Sequence, residues 1–98
     1  MKLINVTNSH RRMVQNQLDN TDATLVEVFS AGNSTVIFEE APFHNELLII
    51  NNTRNVRKDE IDEILNFFLR RMPKSTYDKD FIDMIHMEGL VEITIPKI

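Results

Sequence analysis

Three histidines, His10, His44 and His86, are the side chains best suited to metal binding or proton transfer near neutral pH. No two stand at HxH, HxxxH or HExxH spacing, so nothing local sets a pair of ring nitrogens on one helix turn or strand face. His10 is expected in the first turn of a helix, His44 in the loop Pro42-Phe43-His44-Asn45, and His86 three residues after Asp83 on a solvated helix face. The acids Asp59, Glu60, Asp62 and Glu63 are dense enough for a cation site or an acid–base pair. Yet Arg70, Arg71 and Lys74 close the same segment, and acids first with bases last is what a helix dipole favours without any ligand. Asp78, Asp80 and Asp83 read the same way at the start of a following helix.

A second basic group, Arg54, Arg57 and Lys58, is the candidate anion contact, for a phosphate or an RNA backbone. Against a broader nucleic-acid role stand fifteen acids to eleven bases, net −4, and strand aromatics Phe29 and Phe38 that neighbour Glu27 and Glu39 instead of basic residues. Gly32 and Gly89 are isolated, which excludes the GxGxxG and GxxxxGK phosphate loops. Ser9, Ser30, Ser34 and Ser75 sit where caps and turns need a hydroxyl, in no GxSxG elbow. With no cysteine there is no disulfide, thiolate metal site or thiol nucleophile, and a reducing cytoplasm is the expected location. The first residues carry no long apolar run, and Leu47-Leu48-Ile49-Ile50 falls far short of the ~20 residues of a membrane helix. No cofactor, metal or membrane partner is expected.

These side chains need a scaffold, and 98 residues with 42% hydrophobic composition suit a single α+β domain over 1–98, burying roughly 65% of its unfolded surface. Strands are expected at Lys2–Thr7, Thr24–Phe29, Thr35–Glu39, Glu46–Asn51 and Leu90–Ile95, where apolar or β-branched residues alternate or run together. The second and third should form a hairpin with a four- or five-residue loop, Gly32 or Asn33 taking φ > 0. A helix is expected from His10 to about Asn20, capped by Asn8 or Ser9. The clearest helix runs from about Arg57 to Met72, because Ile61, Ile64, Leu65, Phe68, Leu69 and Met72 recur at i, i+3, i+4, i+7, i+8 and i+11. A shorter helix capped by Ser75 or Thr76 would align Tyr77, Phe81, Met84 and Ile85 on one stripe, with Gly89 closing it. The order is β-α-β-β-β-α-α-β, an about five-stranded, mainly antiparallel sheet with helices packed on it, resembling a ferredoxin-like plan with an added strand and helix.

Apolar residues exceed what one sheet face can use. Phe67 lies about 130° from the centre of the long helix's stripe, and Leu25, Phe29, Leu47 and Ile49 belong to strands apolar on both sides. Phe67, Leu25, Phe29, Leu47 and Ile49 therefore form the candidate partner surface, for a protein partner or a second copy in a homo-oligomer. The opening Met1-Lys2-Leu3-Ile4-Asn5-Val6-Thr7-Asn8-Ser9-His10, the turn Phe29-Ser30-Ala31-Gly32-Asn33 and the run Arg57-Lys58-Asp59-Glu60 resemble a family of short proteins from lactic-acid bacteria and their relatives, catalogued as a domain of unknown function. The resemblance spans essentially the whole chain, implies a bacterial, cytoplasmic protein, and brings no catalytic motif. The expected function is a small non-enzymatic interaction module. The alternatives are a ligand-binding or enzymatic domain using His10, His44 or the Arg54 group, and RNA or phosphate binding through Arg54, Arg57 and Lys58.

Overall fold

Two-residue alternation and β-branched side chains build six strands, β1 (Leu3–Asn5), β2 (Leu25–Ala31), β3 (Ser34–Glu40), β4 (His44–Ile50), β5 (Asp83–Met87) and β6 (Leu90–Pro96), in a computed structural model that describes residues 1–98. Two helices, α1 (Arg11–Asn20) and α2 (Lys58–Arg71), complete the α+β fold. The sheet order is β1-β2-β3-β4-β6-β5, antiparallel throughout. The first four strands form a meander with β1 at an edge, so the ferredoxin-like arrangement does not hold. Neighbours in sequence pair directly, and only α2 carries the chain across to β5 and β6.

The expected short helix after Pro73 is the main correction. Its residues form two 3₁₀ turns, Lys74–Thr76 and Lys79–Phe81, and then the edge strand β5. Met84 and Ile85 read as a helical stripe in sequence, but pairing against Ile93 and Glu92 of β6 makes a continuous ladder that one or two isolated helical turns could not match. Gly89, expected to close the helix, is the hairpin glycine between β5 and β6 at φ 69. The β2–β3 loop is also tighter than expected, with only Gly32 and Asn33 between the strands and Gly32 at φ 60. A 3₁₀ turn at Thr7–His10 precedes α1 in place of an Asn8 or Ser9 side-chain cap, and His44 opens β4 instead of lying in a loop.

Helix α2 lies on one face of the sheet. Ile61, Ile64 and Phe68 are buried against Phe29, Val36, Phe38, Leu47, Ile49, Val91, Ile93 and Ile95, with Val56 and Tyr77 closing the ends. Phe68 stacks on Phe38 at 4.9 Å and meets Phe29 edge-on at 5.2 Å. Arg71 folds back over this cluster with its guanidinium carbon 5.4–5.9 Å from the ring centres of Phe29, Phe38, Phe67 and Phe68, and bonds Glu27 at 3.1 Å. On the opposite face α1 places Met13, Val14 and Leu18 against Ala23, Val26 and Ile37 of the β2–β3 side, and Leu48 and Ile50 of β4 pack at the margin of the same cluster. Six strands at ~4.8 Å spacing span roughly 24 Å, while a helix with side chains is about 10–12 Å wide. One ten-residue helix therefore leaves the β4-β6-β5 half of its face uncovered.

The two glycines differ in surroundings. A Cβ at Gly32 would meet nothing within 4 Å, whereas one at Gly89 would sit 2.8 Å from the Asn51 carbonyl oxygen. Gly32→Ala should cost about 1 kcal/mol of backbone strain and Gly89→Ala about 2–4 kcal/mol, a difference read from the two urea unfolding midpoints.

Candidate functional site

Asn51 organises the end of the molecule that carries the candidate anion contact. Its backbone N–H donates to Gly89 (2.9 Å) and its Nδ2 to the Ser34 hydroxyl (3.2 Å). Its Oδ1 accepts from the Thr53 N–H (2.9 Å), the Thr53 hydroxyl (2.8 Å) and the Arg54 N–H (3.2 Å). Asn55 Oδ1 accepts from the Gly89 N–H. The β4–α2 loop is thus tied to both hairpin turns, with an open polar cleft of about 700 Å³ between Asn51–Asn55 and Glu88–Leu90.

Of the basic side chains there, Arg54 is the one firmly engaged. Arg54 holds Glu60 with two bonds, 2.6 and 3.0 Å, and the Arg57 N–H donates to the same carboxylate at 3.1 Å. Glu60 is buried, and the Arg54 bonds lead the causes that bring its carboxyl down to about 2. Lys58 lies 3.4 Å from Asp62. Arg54 and the Arg57 N–H therefore clamp the start of α2 through Glu60, while the Arg57 and Lys58 side chains extend largely into solvent beside Asp59 and Asp62. His44 does not join them, since the seven residues of β4, about 20 Å, separate it from this loop. His10 Nδ1 lies 3.0 Å from the Val6 carbonyl, and His86 and Asp83 point to opposite sides of β5. No group of three or more His, Asp or Glu side chains is arranged to hold a metal ion.

The candidate partner surface also divides. Phe29, Leu47 and Ile49 are core residues beneath α2 and are removed as surface candidates; a strand apolar on both sides offers one side to α2, and sequence alone did not say which. Phe67 is half-buried and packs edge-on against Phe29 and Phe68, beside Leu3. Leu25 is exposed at the start of β2.

The uncovered half-face holds what the sequence reading missed. Cross-strand register sets Glu39 opposite Glu46, and Glu92 one diagonal step away opposite Leu48. Gln17 of α1 donates to Glu39 at 2.7 Å, and His44 Nε2 lies 3.9 Å from Glu46. Burial first, then the hydrogen bond with Glu92 and the charges of Glu92 and Glu39, push the Glu46 carboxyl up to about 7. Around this row stand Leu48, Ile50 and Leu90, half-buried, and Ile85 and Met87, exposed. The matching outward parity of Glu39, Glu46 and Glu92 was the available signal, but only the register makes them neighbours.

Residues 1–96 match a protein family described as "Domain of unknown function (DUF1827)". The chain belongs to this family. It is also similar to a solved structure, described as the crystal structure of a conserved protein of unknown function from Streptococcus thermophilus LMG 18311. The two are 49% identical, with a TM-score of 0.96 over 99% of this chain and 97% of the other. No curated protein matches. Membership bears out the resemblance seen in the sequence, and it assigns this family member no activity.

The two perturbed carboxyls give opposite pH dependences. Glu60 falls from its ordinary 4.5 to about 2, so its contribution to stability is complete above pH 4.5 and is lost as pH falls towards 2. Glu46 rises from 4.5 to about 7, so its contribution is complete below pH 4.5 and is lost as pH rises through 7. In urea unfolding from pH 2 to 8, Glu60→Gln should remove the acid-limb slope. Glu46→Gln should gain on the parent between pH 5 and 8; a parallel pair of curves there would contradict the carboxylate row.

Proposed function

We propose that this protein is a non-enzymatic interaction module whose β4-β6-β5 half-face receives a basic, amphipathic helix from a protein partner. The observation that carries the reading is the apolar floor of half-buried Leu48, Ile50 and Leu90 with exposed Ile85 and Met87, set beside the Glu39-Glu46-Glu92 row. Helix α1 is the internal precedent, since it covers the other half of that face with three apolar side chains and reaches Glu39 through Gln17. A partner helix of about fifteen residues would span the ~22 Å of a seven-residue strand and lie beside α1. Lys or Arg on its edge would neutralise the carboxylates, while its apolar stripe covers the leucines and isoleucines.

Charge selects among occupants. A second copy laid face to face would bring two rows of carboxylates together, and an RNA would add phosphates to them. A cationic helix instead relieves a repulsion already present, and binds more tightly as Glu46 ionises.

The test is chemical-shift mapping of the labelled protein with an eighteen-residue Lys/Leu amphipathic peptide and a Glu/Leu peptide of the same pattern. The expected result is perturbation centred on Glu46, Leu48, Ile85 and Glu92 with the cationic peptide only. Glu46→Lys and Glu92→Lys should each weaken binding by about tenfold with no loss of folded structure. Shifts confined to Asn51–Asn55, or equal binding of both peptides, would remove this reading.

A further inference from the structure

The sheet ends in two unlike edges. β1 is three residues long and follows Lys2, and it leads directly into the 3₁₀ turn at Thr7–His10, whose approach is held by the Val6 N–H donating to Val28. β5 is five residues long, every one of them exposed, with no lysine, proline or covering element along it. Its apolar members stand well out of the molecule, Met84 at 41%, Ile85 at 49% and Met87 at 44% exposure. Sheet proteins ordinarily protect such an edge, because a row of unpaired N–H and C=O groups is a template for another strand. This edge is also held in place. Its hairpin turn is fixed by Gly89, which exchanges bonds with Asn51 and Asn55 of the β4–α2 loop, so the strand is presented in a set position.

We propose that β5 pairs antiparallel with β5 of a second copy of this chain, about a two-fold axis through Ile85. The register follows from the residues. With Ile85 opposite its own copy, Met84 faces His86 and Asp83 faces Met87, so all five residues pair and no like charges meet. The Ile85 side chains point to the uncovered face, on the side of Glu92, and join there. Because the axis runs perpendicular to the sheet, the product is a continuous twelve-stranded sheet with both α2 helices on one side. On the other side the two uncovered half-faces become one floor of six strands bounded by the two α1 helices. This association uses the strand edge and leaves the carboxylate rows apart, each separated from the axis by its own β5. It stands independently of the helix-docking reading. An interface of five residues per copy is small, so the dimer forms at high protein concentration and exchanges readily.

The absence of cysteine allows a direct trap. Whichever hydrogen-bonding parity β5 adopts, paired Cα atoms at residue 85 lie about 4.5 or 5.5 Å apart, within disulfide reach. Asp83 and its copy are four residues out of register, about 13 Å apart or more. Under mild oxidation of concentrated protein, Ile85→Cys should give a disulfide-linked dimer and Asp83→Cys should remain monomeric. In sedimentation equilibrium the parent should dimerise with concentration, and Ile85→Lys, at an exposed position, should stay monomeric with an unchanged melting curve. The pairing is overturned if Asp83→Cys links as readily as Ile85→Cys, if the parent is monomeric at the highest concentration, or if Ile85→Lys dimerises like the parent.

Discussion

Phe68, fully buried between the stacked ring of Phe38 and the edge-on ring of Phe29, ties α2 to the middle strands of the sheet. The remaining architecture depends on that contact. An aromatic of this size removes on the order of 200 Å² from water, and aromatic pairs in such geometries add about 0.5–1.5 kcal/mol beyond burial. Once Phe68 is seated, Ile61 and Ile64 fall on Val36, Ile49, Val91 and Ile93, and Arg71 is carried to the rim, where it covers the rings and meets Glu27. The Arg54–Glu60 clamp sets where α2 begins, and the Phe cluster sets the face on which it lies.

Seating α2 on one face leaves α1 as the only helix for the other. Its ten residues centre on β2 and β3, with Leu48 and Ile50 of β4 at the margin of that cluster, so a sheet of six strands keeps much of one face open. The same shortage of helix explains the two most unusual surface features. Glu39, buried beneath Gln17 of α1, and the half-buried Glu46 and Glu92 stand as neighbours at the margin of the covered region, and β5 ends the sheet with no element left to shield its edge.

Strong local periodicity was legible in the sequence, and tertiary register was not. The i, i+3, i+4 stripe from Ile61 to Met72 gave α2 within a residue at each end, and the alternation Val91, Ile93, Ile95 gave β6. The stripe through Tyr77, Phe81 and Ile85 is ambiguous because a four-residue spacing is compatible with both periods, and the deciding partner, β6, comes later in the chain. The apolar residues on both sides of β4 do not show from sequence which side α2 covers. Leu47 and Ile49 face α2, while their neighbours Leu48 and Ile50 face the other side, half-buried at the margin of the α1 cluster. The Arg54–Glu60 pair was hidden because the loop folded around Asn51 is what turns Arg54 back onto the first turn of α2. The acidic row depended wholly on pairing between strands that are distant in sequence.

The open half-face is therefore the claim on which the functional account stands, and methyl NMR with a soluble gadolinium relaxation agent measures it in solution. Methyl signals of Ile85 should broaden strongly and those of half-buried Leu90 and Leu48 to an intermediate degree, while those of Leu47, Ile49 and Ile93 beneath α2, and of Val26 and Ile37 beneath α1, should be little affected. Equal protection of Ile85 and Leu90 with the α2-side methyls, in dilute monomeric protein, would contradict the account.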